Sequence, residues 1–119
     1  MQIALEQGNV PLEEVCHLNA HATSTQVGDV GGIAAIKSVF GDDRYIAISA
    51  TKLSTGHLLG AAGATEAIFT VLALRDQIAP PTLNLENRDA AAEGLDIIGG
   101  TARPIAAEYA ISNGFGFGG

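Results

Sequence analysis

The run Val15-Cys16-His17-Leu18-Asn19-Ala20-His21, followed by the polar loop Thr23-Ser24-Thr25-Gln26-Val27-Gly28-Asp29, decides the fold class. Val15 to Asn19 is short, apolar and bounded by polar residues, which reads as a strand. Asp29 can cap a helix running from about Val30 to Phe40, with Ile33, Ile36, Val39 and Phe40 near helical spacing, and Gly41-Asp42-Asp43 ends it. The same order then recurs. Ile46 to Ser49 reads as a second strand, Thr51 to His57 as a loop, and Leu58 to Gln77 as a long helix. That helix is apolar nearly all round, which predicts burial on all sides, and Pro80-Pro81 stops it. Alternating strands and helices define an α/β layered domain. Loops at the carboxyl ends of its strands are where such folds place their chemistry, and His21 and His57 both sit there.

Working outward, Met1 to Gln7 reads as the last turns of a helix closed by Gly8. Leu83 to Gly94 is irregular, Leu95 to Ile98 extended, and Tyr109 to Ser112 a final strand entering Asn113-Gly114-Phe115-Gly116-Phe117-Gly118-Gly119. The first helix lacks an opening cap and the last loop has nothing after it, so both ends read as cut and a fragment is expected. The 119 residues suffice for one core but are few for an enzyme enclosing a long substrate. A net charge of −7 with only six Lys and Arg excludes a nucleic-acid binder, which needs clustered cations. No apolar run approaches the roughly 18 residues of a membrane span. The amino end has no basic n-region or cleavage site of a signal peptide. A single cysteine, Cys16, excludes an internal disulfide and suits a reducing compartment.

Each candidate for chemistry has a plain alternative. Two neutral imidazoles, His21 and His57, converging on one carbonyl oxygen can donate hydrogen bonds to charge developing there; otherwise they are ordinary polar loop histidines. Lys52, in the same loop as His57, can fix a histidine's tautomer or discourage an imidazolium by like charge; otherwise it is a solvated surface lysine. His57 lies just before a helix start, where the dipole favours a neutral ring. Glu66 is the one acid in an otherwise apolar helix. Buried alone it costs several kcal/mol, so it must meet a cation, a donor network or solvent. Zinc on Cys16, His17 and His21 is disfavoured, because strand alternation puts Cys16 and His17 on opposite faces. Cys16 itself, inside an apolar strand, reads as an inert buried thiol rather than a nucleophile. The terminal glycine–phenylalanine run lacks the following helix of a dinucleotide fingerprint, and instead suggests unusual φ values with phenylalanines lining a cavity.

Taken together the motifs carry a resemblance. Asn19-Ala20-His21-Ala22-Thr23-Ser24-Thr25, with Gly28-Asp29 behind it, resembles the first histidine motif of the β-ketoacyl-acyl carrier protein synthases. Thr51-Lys52-Leu53-Ser54-Thr55-Gly56-His57-Leu58-Leu59-Gly60-Ala61-Ala62-Gly63 resembles their lysine and second-histidine motif. Ala73-Leu74-Arg75-Asp76 and Pro80-Pro81-Thr82-Leu83-Asn84-Leu85 follow in the family's order, and Asn113 to Gly119 resembles its closing loop. The likeness spans essentially the whole chain and is nearest the elongating, two-histidine type.

The resemblance implies a thiolase-like fold, a layered α-β-α-β-α architecture of which residues 1–119 are the carboxyl-terminal half. It implies decarboxylative Claisen condensation of an acyl group with malonyl-carrier protein in fatty-acid elongation. The expected partners are acyl carrier protein and a second copy, with no nucleic acid and no membrane span, in the bacterial cytoplasm or an organelle matrix. The resemblance makes His21 and His57 catalytic and Lys52 the support of their network. It gives Thr23 and Thr25 to the phosphopantetheine arm, and Phe115 and Phe117 to the acyl gate. It implies no required cofactor, and in some members a monovalent cation at positions matching Asn19, Glu66, Ser112 and Asn113. Some features depart from the pattern. The family's nucleophilic cysteine is absent and Cys16 does not match its context. A following threonine–asparagine pair is missing, Ala22 replaces the commoner glycine, and Gly32 stands where an acid is frequent. A polyketide ketosynthase fragment and a catalytically silent fragment that keeps only binding surfaces are the alternatives.

Overall fold

The computed structural model describes residues 1–42 and 46–116. Its centre is a parallel sheet in the order β2-β1-β5, with β1 Val15–Asn19, β2 Ala47–Ser49 and β5 Tyr109–Ser112. Leu18 pairs with Ile48 on one side and Ile111 on the other. A register shift between Val15 and His17 interrupts the β1–β5 ladder. The predicted extended piece at 95–98 does add to the β2 edge: Ile48 N–H donates to Asp96 and Ile98 N–H to Ile48, each at 2.9 Å.

Helices cover the two faces. On one face lies α2 (Gln26–Phe40), whose Ile36 and Phe40 close an apolar cluster with Val15, Leu18, Ala20, Ile46, Ile48 and Leu95. Leu18 and Ile46 are wholly buried, each contributing roughly 1.5–3 kcal/mol of burial. On the other face lies α4 (Ala62–Asp76), against β1, β5 and the short β3 (Ile78–Ala79). The short α1 (Gln2–Gly8) precedes the sheet, and α3 (Lys52–Thr55) follows β2. Among the described residues no helix is long and apolar enough to cross a membrane.

The predicted order of strands and helices holds, and the departures have local causes. Helix α2 begins at Gln26 rather than near Val30. Asp29 is not its cap but sits in its first turn and accepts the N–H of Thr23 at 3.0 Å, the reach-back of an acid inside a helix start. Asn9, not Gly8, takes the left-handed conformation that ends α1. The expected loop at 51–57 contains a helical turn, α3, ended at Gly56 with φ 76°. The long helix ends at Asp76, before the prolines, because Gln77 adopts φ 55° and its side chain bonds both Leu74 and Ala107. The chain then forms β3, which pairs antiparallel with β4 (Arg103–Pro104); periodicity over two residues signals neither.

Helix α4 is not buried on all sides. Its sheet-facing residues are Ala62, Glu66, Thr70 and Ala73, whereas Ile68 and Val71 are about 60% exposed, at 59% and 63%. Two polar residues, Glu66 and Thr70, face inward while Ile68 and Val71 face outward, the reverse of an ordinary surface helix.

His17 shows how fully the central strand β1 is enclosed. It has no exposed surface; its Nε2 lies 3.2 Å from Ser49 Oγ, which donates to the Pro80 carbonyl at 2.6 Å, so Nε2 carries the ring proton. Burial lowers its pKa to about 4. Between that value and the unfolded pKa near 6.5, the unfolded chain binds a proton that the folded chain refuses. This contribution to stability is therefore complete above about pH 6.5 and falls by about 3 kcal/mol as pH drops to 4. Urea unfolding across that range should show the slope in the native chain and lose it in His17→Gln.

Candidate functional site

The site forms where β1 and β2 run out. Ala20 N–H still donates to Ser49 O at 2.7 Å, as in the ladder. One residue on, the His21 N–H finds no backbone acceptor on β5 and instead donates to Asn113 Oδ1 at 2.8 Å. Asn113 is buried and its own N–H continues the sheet by donating to Asn19 at 3.0 Å. The backbone of His21 is thus fixed by both neighbouring strands. Its ring meets two others edge-on: His57 at 5.5 Å between centroids and Phe115 at 5.4 Å.

The two histidines, 36 positions apart in the sequence, are thus brought side by side by the fold. His57 reaches the site from the turn after α3. Its Nδ1 accepts the N–H of Leu59 at 3.1 Å, a bond that requires Leu59 to adopt φ 52°. An Nδ1 that accepts leaves the proton on Nε2, so His57 presents a donor. For His21, burial comes first, then the positive charge of Lys52 and the neighbouring His57; together they lower its pKa against the opposing pull of Glu66 and Asp29. A neutral His21 at neutral pH is the result.

Lys52 is not a solvated lysine. It is 4% exposed and forms an ion pair with Glu66, itself 3% exposed. Of the three partners open to Glu66, a cation, a donor network or solvent, the chain supplies a cation of its own. Asn19 ties this pair to β1, donating to Thr51 Oγ1 at 3.1 Å and to the Glu66 carbonyl at 3.4 Å. Of the four expected cation ligands, Asn19 and Glu66 adjoin, but the Glu66 carboxylate faces an ammonium, Asn113 Oδ1 holds His21, and Ser112 is exposed. These side chains do not fit a cage of oxygens around an alkali cation. Among the described residues no group of three His, Cys, Asp or Glu could hold a metal. Cys16 is half-buried rather than buried, with its thiol 3.5 Å from the Glu14 carbonyl.

Thr23 and Thr25 lie on the loop after His21, their hydroxyl oxygens 3.2 Å apart. A cavity of about 380 Å³ extends from His21, Thr25 and Phe115 over Ile33, Ile48 and Leu95. Phe115 is half-exposed at its mouth; Phe117 lies outside the described residues. Sequence reasoning placed Asn113 in a cation site and missed its bond to His21, and it missed the Leu59 amide altogether. A side-chain acceptor replacing a ladder carbonyl, and a left-handed leucine, leave no mark in composition or period.

Comparison with known proteins gives the chain its family. Residues 1–86 match the family model "Beta-ketoacyl synthase, C-terminal domain", and the chain belongs to that family. It is 50% identical over 123 aligned residues to 3-oxoacyl-(acyl-carrier-protein) synthase 2 of Vibrio harveyi, covering 100% of this chain and 29% of that one. A crystal structure of a β-ketoacyl synthase from Burkholderia phymatum superposes with a TM-score of 0.93 at 44% identity, again over 100% of this chain and 29% of its own. A type II polyketide synthase acyl-carrier protein in complex with its ketosynthase bound to the hexaketide gives a TM-score of 0.87 at 30% identity, covering 93% and 27%. The fold is accordingly that of the ketosynthases, the thiolase-like α/β class, and the chain spans a little under a third of the relatives it matches.

The buried pair sets a measurable expectation. Glu66→Ala strands the Lys52 ammonium and should cost about 3–5 kcal/mol in denaturant unfolding. The double variant Lys52→Met/Glu66→Leu, which removes both charges at similar volume, should recover most of that loss.

Proposed function

We propose that this chain is the carboxyl-terminal part of a 3-oxoacyl-(acyl carrier protein) synthase of fatty-acid elongation, supplying the two histidines of a Cys-His-His site. The observation that carries the reading is the edge-on pairing of His21 with His57, whose Nδ1 accepts an amide proton and so leaves Nε2–H to donate. Malonyl thioester loses CO2 when the electrons of its C–C bond pass into the thioester, giving an enolate whose oxygen bears the charge. Two neutral imidazole donors stabilise that charge most strongly where it develops, in the transition state. The carbanion carbon then attacks an acyl thioester on a cysteine supplied by the rest of the enzyme, and the cysteine thiolate leaves. No step requires a cofactor.

Thr23 and Thr25 are assigned to the amide-bearing phosphopantetheine arm, and Phe115 with Phe117 to the acyl gate. Acyl carrier protein is the partner, supported by the related ketosynthase solved with its carrier protein. The fatty-acid pathway rests on 50% identity to a synthase 2, against 30% to the polyketide ketosynthase. The outward Ile68 and Val71 of α4 suit a helix covered by the remainder of the enzyme. A homodimer in the bacterial cytoplasm completes the reading.

In a full-length synthase carrying this segment, His21→Ala and His57→Ala should each slow malonyl-carrier decarboxylation by roughly 10²–10³-fold while acyl loading on the cysteine persists. Decarboxylation at the native rate in both variants would refute the assignment and favour a silent fragment. The 119-residue chain alone should yield no β-ketoacyl product. Because the pKa of His21 lies below its ordinary value, the His21 ring should stay neutral as pH falls through 6.5 and take up its proton only beyond it, read from its imidazole resonances in an NMR titration.

A further inference from the structure

We propose that Gly28 is a positioning residue: the absence of a side chain there aims the Thr25 hydroxyl at the substrate arm. The inference rests on the reading of Thr25 given above and names what makes that grip possible. Gly28 lies in the first turn of α2, where glycine is a poor choice because alanine loses less backbone freedom on becoming helical. Its φ is not left-handed, so backbone conformation does not demand glycine there. Space does. A Cβ at position 28 would fall far inside contact distance of Thr25 Oγ1, while Thr23 Oγ1 lies just beyond, at 3.7 Å.

The neighbouring geometry fixes the same hydroxyl from the other directions. Ser24, between the threonines, takes φ 61° and so turns the chain between them. Asp29 accepts the N–H of Thr23 at 3.0 Å, and its own N–H donates to the Thr25 carbonyl at 2.8 Å. The two hydroxyls are thereby held 3.2 Å apart, leaving one hydroxyl proton free for a carbonyl of the arm. With the backbones of 23, 25 and 29 tied together, a methyl group at 28 is accommodated by rotating the Thr25 side chain, which turns its hydroxyl away. Substrate binding changes while the fold does not.

The test is a double-variant cycle in the full-length synthase, reading kcat and KM for malonyl-acyl carrier protein together with Tm. Thr25→Ala should raise KM by about three- to tenfold, the value of one neutral hydrogen bond. Gly28→Ala should raise KM by the same factor with Tm unchanged or slightly higher and kcat within about twofold. Gly28→Ala placed on Thr25→Ala should add nothing, because the obstructing oxygen is gone. Should Gly28→Ala alone fail to fold, folding of the double variant supports the same clash. A rise in KM with Thr25→Ala but none with Gly28→Ala overturns the role of Gly28 and leaves Thr25's standing, as does a Gly28→Ala effect that persists without the hydroxyl. No rise with Thr25→Ala overturns the arm-binding reading and this inference together.

Discussion

The ion pair between Lys52 and Glu66 is the constraint on which the site depends. It joins α3 to α4 beneath the end of β1, and Asn19 bonds to Thr51 on one side of it and to the Glu66 carbonyl on the other. α3 leads directly into His57, and β1 leads directly into His21. The buried charge pair and Asn19 thus tie together the two segments that carry the imidazoles, while Asn113 holds the backbone of His21 itself. A pair so enclosed adds little net stability over an apolar equivalent, and its value lies in specifying one arrangement.

That arrangement also controls protonation. Under the proposed function both imidazoles act as hydrogen-bond donors to a developing oxyanion, and donors of that kind work because they are already in place. His21 is held neutral chiefly by burial, with Lys52 as a nearby like charge. His57 has its proton assigned to Nε2 by a backbone amide. The lysine thus acts twice, as the counter-ion of Glu66 and as part of the field at His21.

The strand–loop–helix order and the placement of His21 just after β1 were legible in the sequence, because period, length and small flanking residues all pointed the same way; His57 follows not a strand but the helical turn α3. The need of Glu66 for a partner was legible from its place in an apolar helix; that the partner is a cation, and that the cation is Lys52, was not, since the two lie fourteen positions apart with a turn between them. Helix α4 misled for a physical reason. Its hydrophobicity was read as burial on every side, yet the small and polar residues Ala62, Glu66, Thr70 and Ala73 are the ones facing the sheet. The start of α2 was misplaced because Asp29 has the composition of a cap while serving as a brace for Thr23. Motif likeness supplies expectations for residues whose geometry depends on distant chain, and says nothing of Asn113's hold on His21.

The left-handed turn at Leu59 has a consequence for how such a site can vary. The hydrogen bond that sets the His57 tautomer comes from the main chain, so every residue with an N–H can supply it and alanine scanning is blind to it. Only proline, or an ester in place of the amide, deletes the donor. Side-chain chemistry at position 59 is thereby uncoupled from the electronic state of the histidine, and is limited instead by the left-handed backbone, which β-branched residues adopt at a cost.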